Sequence, residues 1–276
     1  MINETINLKE YYLNLDNEVY LTSYCPDNFA EFSIGKTRKC LLVLPGGGYM
    51  FLSDREAEPV CLRFAGYDLA VFLLRYTIYP KIKHPAPLEE VLAAVSYIRN
   101  NADKYHVNPN SISVMGFSAG GHLAASASCY YDDQEILNKL GLTKEDTKIN
   151  GCFLCYPVIS LEVGHEETFM NVSGGNKELL HKYSIEKNVS DKFPRTFIFH
   201  TTIDSIVNVE NSLMLASKLH DHNIPFEMHI YPYCDHGLSL ADSSVYPNDV
   251  SREYLDEMKP HSEWPRLALE FIKRYL

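Results

Sequence analysis

The sequence predicts an α/β fold with a mostly parallel central sheet flanked by helices, and three observations carry that reading. Apolar runs of strand length alternate with segments of helical period five times after an opening antiparallel pair. Most of those runs show no polar alternation, as strands covered on both faces do. The chain has 276 residues, 46% hydrophobic and 22% charged, enough to bury one large core, so a single domain over residues 1–276 is expected.

The elements follow in order. Residues 6–13 and 18–21 carry the β-branched and aromatic content of strands around an Asp16-Asn17 turn, which predicts an N-terminal antiparallel hairpin. Cys40-Leu41-Leu42-Val43-Leu44 runs apolar and opens the interior of the sheet. After Pro45-Gly46-Gly47-Gly48, residues 55–64 suit a helix and residues 69–74 return as a strand. Pro87 marks a first helical position with Glu89 and Glu90 in the first turn, and Leu88, Val91, Leu92, Val95 and Ile98 share one face. Residues 112–115 read as a buried strand and residues 121–127 as a helix of small residues able to lie close against it.

Residues 151–156 and 196–199 are further apolar strands, and residues 208–220 have helical period at Leu213, Leu215 and Leu219. Residues 226–231 alternate like a strand nearer the sheet edge, and residues 264–275 read as a terminal helix. Two polar stretches, 160–194 and 238–260, have no clear period. Long excursions inside a compact domain are usually functional or mobile. The first is read as a cap-like insertion over the site, with a plain surface excursion as its alternative.

Composition excludes several classes. Lys and Arg number 25 against 36 Asp and Glu, a formal charge of -11, and no basic block follows a phosphate backbone or an anionic membrane, so nucleic acid is not an expected partner. The longest apolar runs are strand-length, so no membrane span is expected. Met1 to Thr5 carry neither a basic region nor an apolar run before a small-residue cleavage site, so no signal peptide is expected. Seven cysteines at scattered spacing argue for free thiols in a reducing compartment, the cytoplasm by default. Cys152 and Cys155 lie three apart in a strand-like run, so their side chains point to opposite faces and neither bridge nor share a metal. No ligand cluster calls for a metal or an organic cofactor, and His220 and His222 read as solvated. Oligomeric state is not readable from the sequence, and a homo-oligomer stays open.

The chemistry centres on Gly116-Phe117-Ser118-Ala119-Gly120, a serine at G-x-S-x-G spacing between a strand and a helix. The flanking glycines are needed because side chains there would collide with the turn backbone. A serine hydroxyl is a poor nucleophile until a base, a group that orients the base, and oxyanion donors are supplied. In a parallel α/β sheet such groups gather beyond the carboxyl ends of the strands. Asp204 and His236 both fall in loops of that kind, and the order Ser118, Asp204, His236 is the nucleophile, acid, histidine order of an α/β-hydrolase.

His236 is therefore the candidate base and Asp204 the group holding its tautomer. Asp204 could instead cap the helix starting near Val207. Asp235, next to His236, is a weaker orienting acid because neighbouring loop side chains diverge. His122 and His200 are expected to be structural, His200 as a brace for the acid loop. The oxyanion donors are the amide of Ala119 at the helix start and amides of the Gly46-Gly47-Gly48 run, Gly47 and Gly48 in particular. Tyr49, Phe117 and Tyr156-Pro157 are candidate walls of a substrate pocket and equally candidates for the core.

Several segments together resemble the α/β-hydrolase superfamily, and within it the hormone-sensitive-lipase-like and acetyl-xylan-esterase-like serine esterases. They are Leu44-Pro45-Gly46-Gly47-Gly48-Tyr49, Asp54-Arg55-Glu56-Ala57-Glu58-Pro59, Gly116 to Leu123, Asp204 with Val207, and Asp235-His236-Gly237. The likeness runs from about residue 40 to the C-terminus. Pro45 stands where the lipase-like branch has histidine, as is often so in the sugar-esterase-like branch. His200-Thr201 replaces a usual His-Gly, and Asn208 a frequent proline. The resemblance implies hydrolysis of short-chain carboxylic esters, with acetyl or phenolic esters of plant-derived sugars as candidate substrates. A serine peptidase of the same fold is the alternative enzyme, and a non-catalytic binding protein on this fold the alternative class.

Overall fold

The computed structural model describes residues 1–82, 85–163, 166–246 and 250–276. Its strands are β1 (Thr5–Asn7), β2 (Tyr20–Tyr24), β3 (Arg38–Leu44), β4 (Ala70–Arg75), β5 (Val107–Phe117), β6 (Gly151–Cys155), β7 (Arg195–Thr201) and β8 (Phe226–Tyr231). They form one sheet in the order β1-β2-β4-β3-β5-β6-β7-β8. Strands β3 to β8 run parallel to their neighbours, while β2 pairs antiparallel with β4 and β1 antiparallel with β2. The helices are α1 (Glu58–Ala65), α2 (Ala86–Asn100), α3 (Ala119–Tyr130), α4 (Gln134–Leu140), α5 (Lys144–Thr147), α6 (Glu166–Ser173), α7 (Lys177–Tyr183), α8 (Glu210–Asp221), α9 (Arg252–Met258) and α10 (Trp264–Tyr275).

The unalternated apolar strands have a direct cause. Successive side chains of a strand point to opposite faces, and here both faces are buried in separate hydrophobic cores. Leu42 and Leu44 of β3 join the core built with α2, α3 and α8, while Leu41 and Val43 join the one built with α1 and α10. Cys152 and Cys155 of β6 divide the same way and are free thiols, as their spacing requires. Strand β8 is the last of the sheet and only partly buried along its length, which its alternating sequence foretold.

The N-terminal expectation holds in part. Ile6 pairs with Leu21 across an antiparallel ladder, but the first strand ends at Asn7, because the Asn7 side chain accepts from the Lys9 amide and turns residues 8–10 into a short 3-10 helix. The two strands are thus joined by a long folded connection and not by a turn at Asp16-Asn17. The helix expected over 55–64 is broken at Ala57, leaving a 3-10 turn over Asp54–Glu56 before α1. Residues Glu89 and Glu90 of α2 are both buried, Glu89 against the Lys139 ammonium at 2.7 Å and Glu90 accepting from the amide (2.7 Å) and hydroxyl (2.6 Å) of Thr77.

The two stretches without clear period each contain helix. The first contains α6 and α7, with residues 164–165 outside the described residues; the second contains α9, with residues 247–249 outside them. Short helices of mixed polarity show too few turns for a period to emerge. Among the described residues no helix is long and apolar enough to cross a membrane.

Candidate active site

Ser118 is the single residue between the last residue of β5 and the first of α3, and its backbone sits at φ 53°, ψ -117°. A non-glycine residue at positive φ is strained and needs its surroundings to hold it. The holding comes from packing. A Cβ on Gly116 would lie 2.1 Å from the Gly120 carbonyl oxygen, and one on Gly120 would lie 2.2 Å from that of Leu44. Both glycines are therefore required for α3 to press onto β3 and β5. The Ser118 amide donates to the Cys155 carbonyl at 3.0 Å, fastening the turn to β6.

The three residues read as a triad meet above the strand ends. His236 Nδ1 lies 2.7 Å from Asp204 Oδ2, and His236 Nε2 lies 2.8 Å from Ser118 Oγ. An ionised carboxylate only accepts, so Nδ1 carries the proton and donates it to Asp204. Nε2 is then bare and accepts from the serine hydroxyl, the tautomer a general base needs. Burial works against the charge on Asp204, but bonds from His200, His236 and the Val207 amide outweigh it and hold the carboxyl well below the usual carboxylate range.

Asp204 also fulfils the alternative reading of it, in a modified form. Its Oδ1 accepts from the amides of Ile206 (3.0 Å) and Val207 (2.8 Å), capping the turn in which it sits; α8 itself begins only at Glu210. Asp235 accepts from the amide and hydroxyl of Ser205, so it ties the histidine loop to the acid loop and is not the group that orients the imidazole. His200 braces the acid loop: Nε2 donates to the Val207 carbonyl at 2.9 Å, leaving Nδ1 to accept from Ser212 Oγ at 2.7 Å. His122 is buried, its Nε2 donating to the Tyr183 carbonyl (2.8 Å) and its Nδ1 accepting from Tyr49 Oη (2.9 Å).

The glycine run after β3 faces Ser118. Gly47 has φ +126°, and a Cβ there would meet the Phe51 carbonyl oxygen at 2.2 Å. The Gly46 amide is taken by Glu56 Oε2 at 2.9 Å. Among the described residues, the amides of Gly47, Gly48 and Ala119 donate to no protein acceptor. Gly47, Gly48, Ser118 and His236 line one cleft of about 600 Å³. Helix α6 stands against it: Thr168 is on its wall, and Asn171 Nδ2 donates to the Gly48 carbonyl at 2.9 Å.

The three aromatic side chains expected as pocket walls are corrected. Tyr49, Phe117 and Tyr156 are all buried in the core and absent from the cleft lining. Tyr49 is held by His122, Phe117 packs between Tyr156 and Trp264, and Tyr156 donates to Glu56. The apolar walls are instead Met50, Phe51, Leu52, Val158, Ile206 and Val207. Met50 and Phe51 directly follow the glycine run, and Ile206 sits inside the acid loop, so loop position was the signal for them. Phe51 and Ile206 remain 60% and 65% exposed, which large apolar side chains do at a cleft mouth that receives a ligand. Glu56 also lies on the cleft.

Residues 29–219 match the BD-FAE family. Endo-1,4-beta-xylanase B of Butyrivibrio fibrisolvens is 35% identical over 223 residues, covering 79% of this chain and 35% of that protein. An acetylxylan esterase of Xylanibacter ruminicola is 28% identical over 256 residues, covering 89% of this chain and 49% of that one. The chain thus spans only a third to a half of the lengths of these curated relatives. Among solved structures, an acetyl ester-xyloside bifunctional hydrolase from Caldicellulosiruptor lactoaceticus superposes with a TM-score of 0.81 at 33% identity, over 98% of this chain and 95% of that one. With the sheet, the turn at Ser118 and the matched span together, the chain belongs to the BD-FAE family and has the α/β-hydrolase fold.

Proposed function

We propose that this chain is a serine carboxylesterase that hydrolyses short-chain acyl esters, acetyl esters of plant-derived sugars first among them. The observation that carries the reading is the hydrogen-bonded chain Asp204, His236, Ser118 facing the amides of Gly47, Gly48 and Ala119 across one cleft. Ser118 Oγ attacks the ester carbonyl carbon while His236 Nε2 takes its proton, and Asp204 stabilises the imidazolium that results. The oxyanion accepts from the free amides, each worth about 3 kcal/mol in the transition state. The intermediate collapses to an acyl-Ser118, the alcohol leaving with the proton from His236. Water, deprotonated by the same nitrogen, then attacks the acyl carbonyl and releases the acid.

The similarity to proteins named for acetylxylan and acetyl esters supports acetyl as the acyl group, and the exposed Phe51 ring at the cleft mouth supports a sugar ring as the alcohol side. Helix α6, bonded to the oxyanion loop through Asn171, supports reading residues 160–194 as a cap over a single domain. Seven free thiols support a reducing compartment such as the cytoplasm.

Turnover of p-nitrophenyl acetate by the wild type and by Ser118→Ala tests the reading. An active wild type and an inactive variant are expected; an inactive wild type, or a variant that keeps full activity, overturns it. Release of acetate from acetylated xylo-oligosaccharides, compared with hydrolysis of feruloyl esters, then separates the two sugar-ester classes.

A further inference from the structure

Glu56 is a buried carboxylate on the cleft that the mechanism above leaves unused. It is 4% exposed and forms no ion pair among the described residues. Its Oε2 accepts from the Gly46 amide at 2.9 Å and its Oε1 from the Tyr156 hydroxyl at 2.6 Å. Tyr156 Oη in turn accepts from the Ser239 amide at 2.9 Å, three residues beyond His236, and the Tyr156 ring meets the His236 ring edge-on with centroids 5.0 Å apart. One carboxylate therefore joins the loop after β3, the end of β6 and the loop after β8. These are the segments that must hold the oxyanion amides and the imidazole in register with Ser118.

The contact is tight as well as bonded. A Cβ on Gly46 would lie 2.7 Å from Glu56 Oε2 and 3.0 Å from the Ser118 Cβ, so only glycine lets the carboxylate and the nucleophile share that corner. A buried charge is costly unless it is paired or hydrogen-bonded, and here both carboxylate oxygens accept a bond. Burial pushes the Glu56 carboxyl above its ordinary value, offset in part by the bonds from Tyr156 and Gly46 and by the nearby His236. Each of its oxygens accepts one bond, from the Gly46 amide and from the Tyr156 hydroxyl, and a carboxylate satisfies both donors at once.

We infer that Glu56 is a positioning residue: through Gly46 and Tyr156 it locks the oxyanion loop to the histidine loop, and its negative charge favours the imidazolium formed on His236. The inference rests on the esterase reading. The groups facing His236 are Ser118, Asp204, the Tyr156 ring and Glu56, with Asp235 preceding it in its own loop and Arg55 beside Gly237. Asp204 and Glu56 are the buried carboxylates among them, and of these two only Asp204 bonds the ring.

The test compares wild type, Glu56→Gln and Tyr156→Phe on p-nitrophenyl acetate across pH, with active sites counted by an irreversible phosphonate. Glu56→Gln keeps the shape, removes the charge and can accept only one of the two donors. Per titrated site, its kcat is expected to fall about tenfold or more with KM within about threefold of wild type. Without the second carboxylate the imidazolium is less favoured, so the acid limb of kcat/KM moves to lower pH, by about half a unit or more. Tyr156→Phe keeps the charge and cuts the link, so kcat falls several-fold while the acid limb stays near that of wild type.

Unchanged kcat and unchanged acid limb in Glu56→Gln overturn the inference, as does a loss of rate matched by a loss of titratable sites. Should Glu56→Gln not fold, Tyr156→Phe decides by its kcat: a wild-type value refutes the role. A wild type that fails to turn over the ester refutes the esterase reading; an active wild type matched by both variants refutes only the role of Glu56.

Discussion

Oδ2 of Asp204 lies 2.7 Å from Nδ1 of His236, while its other oxygen is held by the amides of Ile206 and Val207. The carboxylate is thereby fixed from both sides before it meets the imidazole. Asp204→Asn keeps the shape but offers an amide that can be satisfied by the wrong histidine tautomer. A fall in kcat of about three orders of magnitude at neutral pH is expected, with KM little changed. Steady-state kinetics on p-nitrophenyl acetate check it, and a loss below tenfold would remove Asp204 from the mechanism.

The same carboxylate links stability to pH. Its pKa in the fold is depressed relative to the unfolded chain, so its contribution is fully present above the unfolded value and is lost as pH falls through the folded one. Thermal unfolding between about pH 5 and about pH 2 should show wild type losing its margin over Asp204→Asn as acid is added. Parallel melting curves for the two proteins across that range would contradict the depressed value.

Gly120 is a packing requirement. A methyl there would lie 2.2 Å from the Leu44 carbonyl oxygen and 2.4 Å from that of Pro45, both backbone atoms of the strand and loop beneath α3. Gly120→Ala should cost about 3 kcal/mol of folding free energy. Urea unfolding measures it; a midpoint equal to wild type would mean that α3 can lift off the sheet without loss.

Tyr49 and Phe51 are two positions apart and should respond oppositely. Tyr49→Phe removes the bond to His122 inside the core, so stability falls by about 1 kcal/mol and KM is unchanged. Phe51→Ala removes an exposed ring from the cleft mouth, so KM for acetylated xylo-oligosaccharides rises several-fold with stability near wild type. The reverse pattern would return Tyr49 to the pocket wall.

Much of the fold is legible in the sequence because its signals are local. An apolar run such as Leu41 to Leu44 must be covered on both faces, and two cores cover it. The Asn7 side chain, by contrast, ends the first strand through a bond to a backbone amide two residues on, a competition that β-propensity does not register. Residues 160–194 hide two helices too short to display a period.

The site divides along the same line. The sequence by itself determined the strand-to-helix turn at Ser118, since glycines at 116 and 120 let α3 seat closely on the sheet, and it determined the chain order of Ser118, Asp204 and His236. Tertiary structure alone decided which face each neighbour presents. Tyr49 turns inward to His122 while Phe51 turns to the cleft, and Glu56 finds Gly46 and Tyr156, the latter 100 residues away. Those choices depend on burial and on hydrogen-bond partners from distant segments, which exist only once the strand ends have been brought together.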